Sequence, residues 1–227
     1  MHEKKEEQYL LDKMIRAYPF LYDENNFWKE MKENINQKNL KILELACGCG
    51  LFINDFNERF DVKEIYITDI SKVSLDYVKK NHKRTDSIIK IMDFNEENWE
   101  FPRNHFDIIF IGLTFRNAYK TFSFLKNISK HLNENGRLII FEYIKQSFED
   151  FSKQWFNYTN IAVPKIGHFD FVTKPFGSFC KYSDKDLEYI LNMAKFEITY
   201  KKNLDSVLKT TLIFAKKLND RINKNSE

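Results

Sequence analysis

The sequence predicts an α/β fold, with a seven-stranded, mostly parallel sheet, helices on both faces and a C-terminal antiparallel hairpin. Two observations predict it. Between residues 40 and 143, strand-like apolar runs alternate with amphipathic helical segments, which is typical of a parallel sheet. After residue 183, one more helical segment precedes two strand-like runs that are close enough to pair as a hairpin.

The individual elements follow from hydrophobic periodicity. Strands are predicted at Lys41–Leu45, Glu64–Thr68, Ser87–Met92, His105–Gly112, Gly136–Tyr143, Phe196–Asn203 and Lys209–Lys216. Helices are predicted up to Phe60 and over Ser71–Asn81, Tyr119–Leu132 and Ser183–Lys195. Ser71 has the side chain expected of a helix N-cap.

We divide the chain into residues 1–37, an N-terminal helical lid; 38–217, the main domain; and 218–227, a polar tail. In the first segment, residues 7–18 and 27–36 show helical spacing. The helix over 7–18 could dock on the body, cap a pocket or touch a membrane surface. Residues 146–182 break the alternation, are rich in aromatic side chains, and are interpreted as a substrate insertion.

Composition excludes several classes of protein. The 227 residues carry 36 Lys and Arg against 33 Asp and Glu, a net charge of +3, and lack the basic stripe of a dedicated nucleic-acid binder. No apolar run reaches membrane-spanning length. The charged first residues are unlike a secretory signal, and three cysteines do not form a disulfide framework. We therefore expect a reduced, cytoplasmic protein without a metal site.

A glycine turn follows the first strand, in a chain with only 6 glycines. Gly48 and Gly50 allow a tight turn and a close backbone approach to a ligand. A dinucleotide-binding turn would need another small residue at position 53, which is Ile53. The chain also lacks the Gly-Lys-Ser/Thr of a phosphate loop. The turn therefore does not favour a phosphate-bearing ligand.

Carboxylates lie at the ends of three strands, and the carboxyl ends of strands are where open α/β sheets bind ligands. They are Glu44, Asp69 and Asp93, the last beside the aromatic Phe94. Asp69 suits the two ribose hydroxyls of a nucleoside, and Asp93 with Phe94 suits an adenine. A ligand that meets three acids should be a cation or a hydrogen-bond donor, and S-adenosylmethionine fits. The alternative is that each carboxylate only caps the following helix.

At these positions the sequence resembles the class I S-adenosylmethionine-dependent methyltransferases. The matching stretches are Ile42–Gly50, Tyr66–Ser71, Met92–Phe94 and Phe106–Gly112. The resemblance implies a Rossmann-like sheet and cofactor-binding roles for Glu44, Ala46, Gly48, Gly50, Asp69, Ile70, Asp93, Phe94 and Gly112. It departs at Ala46, where many members have glycine; alanine is tolerable there if its φ is negative.

A narrower resemblance is to the menaquinone/ubiquinone C-methyltransferases. It is carried by Gly112–Asn117, Gly136–Tyr143, Tyr158–Gly167 and the pair Tyr22-Asp23. The sequence departs at Ile144-Lys145-Gln146 and over 168–182. The resemblance implies methyl transfer to a small aromatic, including quinone-type, acceptor. A prenylated acceptor would also require contact with a membrane surface.

Four residues are candidates for chemistry on the acceptor. Arg116 could stabilise a phenolate, and Asn117 could hold a substrate oxygen; a surface ion pair is the alternative for Arg116. Tyr22 could line the pocket or belong to the core. His168 could be a general base, although a loop histidine is more often solvated.

Three further features leave alternatives open. Cys47 and Cys49 are interpreted as small apolar fillers of the turn, since Cys180 alone cannot complete a zinc site. The aromatic residues of the insertion could cover an apolar acceptor or form the insertion's own core; they are Trp155, Phe156, Tyr158, Phe169, Phe171, Phe176, Phe179 and Tyr182. The other functions considered are a methyltransferase for a non-quinone metabolite and a non-catalytic cofactor-binding protein.

Overall fold

The strands form one mixed sheet. The computed structural model describes residues 5, 7–9, 11–12, 14–15, 23–159, 177, 180–204 and 208–218, with 155–159 described in their backbone only. The strands are β1 (Leu40–Leu45), β2 (Val62–Asp69), β3 (Ile88–Ile91), β4 (Phe106–Gly112), β5 (Leu132–Tyr143), β6 (Phe196–Leu204) and β7 (Thr210–Lys217). Their order is β3-β2-β1-β4-β5-β7-β6. Strands β1 to β5 are parallel, and β7 runs antiparallel between β5 and β6. The predicted fold class, including the C-terminal hairpin, is confirmed.

Helices cover both faces of this sheet. They are α1 (Glu24–Asn34), α2 (Ile53–Arg59), α3 (Lys72–Asn81), α4 (Thr121–His131), α5 (Phe148–Thr159) and α6 (Asp184–Met193), with a 3₁₀ turn at Phe115–Asn117. The described residues between 5 and 15 are also helical. As predicted, Ser71 caps α3: its hydroxyl accepts the backbone N–H of Ser74 at 3.3 Å.

Alternating side chains of the strands pack into two hydrophobic cores, one on each face of the sheet. On one face, Ile42 and Phe110 pack with residues of α1, α2, α3 and α5. On the other, Leu43 and Ile109 pack with α4 and α6. Because successive side chains of a strand point to opposite faces, a continuous apolar run such as β4 serves both layers.

Helix α1 lies in the predicted N-terminal segment and belongs to the first of these cores. Its Phe27, Trp28 and Met31 are buried. Its buried Glu30 accepts hydrogen bonds from Tyr200 Oη and Lys202 Nζ of β6. Burial raises the pKa of Glu30, but these two donors outweigh burial and lower it overall. An ion pair and an apolar face thus attach α1 to the sheet.

Strand β5 begins at Leu132, four positions before the predicted start at Gly136. The pairing with β4 shifts register between Phe106 and Ile108. A Cβ at Gly136 would lie 2.7 Å from the carbonyl oxygen of Phe106. Glycine therefore lets the two backbones approach where the ladder is irregular, an effect that hydrophobic periodicity does not reveal.

The strand order reverses between β1 and β4. The chain moves outward from β1 through β2 to β3, then returns to the other side of β1 as β4. In open α/β sheets such a reversal leaves a crevice beyond the carboxyl ends of the two central strands. The topology therefore locates a site beside the turn that follows β1.

Candidate active site

A cavity of about 560 Å³ lies at this reversal, beyond the carboxyl ends of β1, β2 and β4. Nine of the predicted site residues line it, namely Ala46, Gly48, Asp69, Ile70, Asp93, Phe94, Gly112, Arg116 and Asn117. Its volume is in the range of small-molecule sites. Predicted residues at the carboxyl ends of β1, β2, β3 and β4 therefore line one common cavity.

The turn after β1 has left-handed residues at three alternate positions. The φ angles of Ala46, Gly48 and Gly50 are +54°, +56° and +75°. The condition under which alanine would be tolerable at position 46, a negative φ, is therefore not met. A Cβ at Gly50 would lie 2.9 Å from Val78 of α3, so glycine there also permits close packing. Gly50 supports the turn but is absent from the described cavity lining.

The two cysteines of the turn have apolar surroundings. Cys47 is buried in the core, and Cys49 is half-buried. Burial raises the pKa of Cys47 well above its usual range and that of Cys49 to about 12. Both thiols are therefore protonated and unreactive at neutral pH. Within the described ranges, no group of three or more His, Cys, Asp or Glu side chains is arranged to hold a metal.

Asp69, the last residue of β2, is held by the glycine turn. One carboxylate oxygen accepts the backbone N–H of Gly48 at 2.8 Å, and the other accepts that of Ser71 at 2.8 Å. Burial raises the pKa of Asp69 although these backbone bonds lower it. The N–H of Gly48, which a phosphate loop would direct at its ligand, is thus already used inside the protein.

Glu44 is not among the described residues that line the cavity, so the structure brings two of the three predicted acids, Asp69 and Asp93, to this rim. The Glu44 side chain is buried, and its Oε2 has no hydrogen-bond partner among the described residues. Burial raises the pKa of Glu44 well above its ordinary value, and the charge of Asp69 raises it further. Glu44 is the penultimate residue of β1, so it belongs to the strand and not to the turn that follows.

The loop after β3 contributes a polar and an apolar group. Asp93 Oδ1 accepts the backbone N–H of Asn95 at 2.9 Å, which holds the loop in a tight turn. Phe94 packs against Phe124, with ring centroids 5.0 Å apart. On the facing loop, Ile70 lines the cavity yet is 66% exposed. A carboxylate and apolar surfaces therefore share this end of the cavity.

Gly112 ends β4 where the backbone meets the cavity. A Cβ there would lie 2.5 Å from the ring of Phe52. Only glycine leaves room for this ring. Leu113 follows with φ +56°, and its N–H bonds to the carbonyl of Phe141 at 2.6 Å. The end of β4 therefore turns so that Leu113 and Thr114 also line the cavity.

Arg116 and Asn117 occupy the 3₁₀ turn after β4. Arg116 Nη1 lies 2.7 Å from Oε1 of the buried Glu142, and also donates to the carbonyl of Leu113. The surface ion pair considered for Arg116 is therefore wrong: its partner is fully buried. Asn117 is exposed, and its Nδ2 donates to Thr114 Oγ1 at 3.1 Å.

Sequence reasoning missed several lining residues. They are Glu7, Met14, Ser71, Ser74, Met92, Asn95, Leu113 and Thr114. Glu7 is the most informative, because its carboxylate accepts the Ser71 hydroxyl at 2.8 Å across 64 positions of sequence. No local pattern reports such a contact. The amphipathic spacing of residues 7–18 was the available signal.

Two candidate catalytic residues, Tyr22 and His168, lie outside the described residues. So do Phe169, Phe171, Phe176 and Phe179 of the aromatic insertion, and the side chains of its helical members in α5. Tyr182 is described, and its ring packs 5.9 Å from that of Phe115. The covering role of the insertion and the lid role of the N-terminal segment stay predictions.

Comparison with known families decides the affiliation of the chain. The profile of the ubiE/COQ5 methyltransferase family matches residues 7–198. The chain belongs to the ubiE/COQ5 methyltransferase family. The match extends over the predicted insertion and includes Glu7 at its first position. Both resemblances drawn from the strand ends and from Gly112–Asn117 are confirmed.

Relatives in this family are similar over part of their length. The protein is 28% identical over 160 residues to the ubiquinone/menaquinone biosynthesis C-methyltransferase UbiE of Shewanella baltica, covering 68% of this chain and 63% of that one. The enzyme of the same name from Shewanella oneidensis matches to the same extent, with 28% identity over 160 residues. The chain thus spans less than two thirds of the length of these relatives.

Solved structures share the fold of this family member. A SAM-dependent methyltransferase from Aquifex aeolicus superposes with a TM-score of 0.66 and 16% identity, covering 93% of this chain and 97% of that one. The [4+2]-cyclase SpnF has a TM-score of 0.63 and 11% identity, covering 87% and 86%. The second example shows that this fold hosts more than one chemistry.

The ubiE/COQ5 family and its fold imply S-adenosylmethionine as the cofactor. The described part of the chain contains no helix that is long and apolar enough to cross a membrane.

Proposed function

We propose that this protein transfers a methyl group from S-adenosylmethionine to a small aromatic acceptor of the quinone type. The observation that carries the proposal is the cavity at the strand reversal, which presents Asp69 and Asp93 and in which the Gly48 N–H is bonded to Asp69 instead of being free for a ligand phosphate. An uncharged ribose and a cationic sulfur suit such a wall, whereas a pyrophosphate does not.

Asp69 is the residue that would hold the ribose. Its two oxygens already accept backbone N–H bonds, so the carboxylate is fixed in place before a ligand arrives. Each oxygen has a second lone pair, which can accept a ribose hydroxyl. Burial strengthens such bonds, because water competes less for a carboxylate that is only 7% exposed.

Asp93, Phe94 and Ile70 would hold the adenine. The Asp93 carboxylate is an acceptor for an amino group, and the side chains of Phe94 and Ile70 offer apolar surfaces that line the same cavity. An exposed isoleucine at the rim of a cavity gains stability when a flat ring covers it. This accounts for Ile70 being apolar at a position that faces solvent in the free protein.

The bound cofactor supplies an electrophilic methyl group on a positively charged sulfur. The protein then contributes mainly by positioning, since an in-line displacement requires alignment rather than a covalent intermediate. On a phenol or hydroquinone, transfer of the hydroxyl proton to a base, the role predicted for His168, would make the adjacent ring carbon nucleophilic. After gaining the methyl group, that carbon would release its own proton and restore the aromatic ring. Arg116 N–H groups would stabilise the developing oxyanion, and Asn117 would orient a second oxygen.

The family relatives support a quinone-type ring, because their names state ubiquinone and menaquinone biosynthesis. The segment Gly112–Asn117, which carries the narrower resemblance, lines the cavity through its first three and last two residues. If the acceptor is prenylated, its tail would bring the protein to a membrane surface.

Direct assay tests the proposed acceptor. The protein is incubated with methyl-labelled S-adenosylmethionine and either 1,4-naphthohydroquinone or a panel of phenol and amine metabolites. Methylation of the hydroquinone ring carbon supports the proposal. Turnover only within the metabolite panel would replace the quinone acceptor with another, and cofactor binding without any turnover would indicate a non-catalytic protein.

Asp69→Ala tests the cofactor site independently of the acceptor. Loss of hydrogen bonds to a charged group should weaken binding of S-adenosylhomocysteine by about 1–3 kcal/mol. Isothermal calorimetry measures the change. Asp76→Ala is the matched control, because Asp76 lies on α3, pairs with Lys72 in solvent and is absent from the described cavity lining. Equal affinities for both variants would remove Asp69 from the ribose role.

A further inference from the structure

We propose that Glu142 is a positioning residue for Arg116, and that it cancels the charge of Arg116 so that the guanidinium acts on the acceptor as a directed N–H donor rather than as a free cation. The inference rests on the proposed function, in which Arg116 faces the acceptor. It adds a residue that neither the strand-end pattern nor the cavity lining contains.

Glu142 binds the 3₁₀ turn at two points. Its Oε1 lies 2.7 Å from Arg116 Nη1, and its Oε2 accepts the backbone N–H of Arg116 at 2.9 Å. The backbone N–H of Tyr143 also donates to Oε1, at 2.8 Å. The Glu142 carboxylate therefore binds both the side chain and the main chain of Arg116, and attaches both to β5.

Other contacts restrict the guanidinium further. Its central carbon lies 5.2 Å from the ring centroid of Tyr143, and Lys181 Nζ donates to the Arg116 carbonyl at 2.7 Å. The Arg116 side chain is 12% exposed, although the residue lines the cavity. A group held on several sides presents one orientation to a ligand, which is the requirement for stabilising a charge that develops during reaction.

Charge compensation follows from burial. The Glu142 side chain is 0% exposed, and a buried carboxylate without a cation beside it is strongly unfavourable. Among the described residues that line the cavity, Arg116 is the cationic one, whereas Glu7, Asp69 and Asp93 are acidic. With Glu142 beside it, Arg116 adds little net positive potential. The acceptor side of the cavity should therefore prefer a neutral hydroxyl to a carboxylate.

Binding of two matched probes tests this preference. Affinities of 1-naphthol and 1-naphthoate are measured at pH 7 for the protein saturated with S-adenosylhomocysteine. We expect the wild type to bind the neutral probe more tightly. Glu142→Gln keeps the shape but frees the Arg116 charge, so the naphthoate-to-naphthol affinity ratio should rise by about tenfold or more. Glu142→Asp keeps the charge and should keep the wild-type ratio.

Glu30→Gln is the control for a purely structural effect. Glu30 is another buried glutamate with a basic partner, Lys202, but it joins α1 to β6. It should lower the stability without changing the probe ratio. If Glu142→Gln unfolds, Arg116→Gln supplies the second variant: removing the guanidinium should weaken 1-naphthol binding by about tenfold while affinity for S-adenosylhomocysteine changes less than twofold.

The outcomes separate this inference from the proposed function. An unchanged probe ratio in Glu142→Gln would overturn the positioning role alone. Unaltered naphthol binding in Arg116→Gln would overturn both this inference and the contact of Arg116 with the acceptor in the proposed function. Failure of the wild type to bind either probe while it still binds S-adenosylhomocysteine would overturn the aromatic acceptor, and this inference with it.

Discussion

Ala46 carries backbone strain in the glycine turn that follows β1. Its φ of +54° lies in the left-handed region, where a Cβ costs about 1–2 kcal/mol relative to glycine. The hydrogen bond from the next residue, Cys47 N–H to the Thr68 carbonyl at 2.9 Å, helps to hold this conformation. The surrounding sheet thus maintains a geometry that the local residue opposes.

Ala46→Gly should therefore stabilise the protein. The relief of strain exceeds the larger entropy that glycine gives the unfolded chain, which leaves a net gain of about 0.5–1 kcal/mol. Urea denaturation measures it. Leu113→Gly is the contrasting control: Leu113 also has positive φ but is buried, so lost packing should destabilise the protein by about 2–4 kcal/mol. A less stable Ala46→Gly variant would contradict the strain argument.

Glu44 makes stability depend on pH. Its pKa is raised well above the ordinary carboxyl value, chiefly by burial. Below the pKa of an unfolded glutamate, about 4.3, both states hold the proton and Glu44 has no effect. Above it, the unfolded chain releases a proton that the folded chain keeps, so stability falls as pH rises towards the folded pKa.

Glu44→Gln should consequently be more stable than the wild type, with a difference that grows as pH rises above about 4.3 towards the raised pKa of the folded protein. Unfolding free energies measured across this range check the slope. Glu58→Gln should behave oppositely, since a hydrogen bond from Lys83 lowers the pKa of Glu58. At neutral pH the Glu58→Gln variant should be less stable than the wild type. The difference should shrink as pH falls, because Glu58 of the wild type then becomes protonated. A Glu44→Gln advantage that shrinks with rising pH would show an ionised, paired Glu44.

At the scale of elements, Gly112 sets the spacing between the end of β4 and the ring of Phe52. Gly112→Ala would place a Cβ 2.5 Å from that ring, and should cost about 1–3 kcal/mol through overpacking. Gly177→Ala is the control, because a Cβ there meets no atom of the described residues within 4 Å. Thermal denaturation of both variants tests the contrast, and similar losses would show that packing is not the cause.

Most elements were predictable because their signals are local. The period of the apolar residues and the Ser71 cap locate α3 within one residue of its observed start. Likewise, Ser183 begins α6 through a reciprocal capping box with Asp186. Where an element depends on a distant backbone, as β5 does on Phe106 beside Gly136, the boundary was missed by four residues.

At the scale of the whole molecule, cofactor binding should stabilise the fold by mass action. A concentration of S-adenosylhomocysteine 100 times its Kd adds about 2.7 kcal/mol. For a chain of this size that corresponds to a rise in Tm of about 5–10 °C. Scanning fluorimetry measures the rise.

A phosphate-bearing nucleotide supplies the control for this measurement. NADP⁺ at the same concentration should give no comparable shift, since the Gly48 N–H is engaged by Asp69. A larger shift with NADP⁺ than with S-adenosylhomocysteine would reverse the assignment of the cavity.

The acidic residues that line the cavity show which contacts depend on the whole fold. Glu44, Asp69 and Asp93 all lie at or just beyond strand ends in the sequence, yet of these three only Asp69 and Asp93 line the cavity in the described structure. Glu7 takes part instead, brought to Ser71 from the N-terminal segment. The position of a residue in the sequence predicts which end of the sheet it lies at. Whether its side chain then lines the cavity depends on the conformation of the turn that follows the strand.

By itself, the sequence determined the α/β class, the alternation of elements, the glycine turn and the affiliation with methyltransferases. Each of these depends on residues within a few positions of one another, so the pattern is visible in the chain. Only the tertiary structure decided that Ala46 is left-handed, that Glu44 is buried, that Glu7 reaches the cavity and that Glu142 holds Arg116. These depend on contacts between segments far apart in sequence, which form only when the sheet brings their ends together.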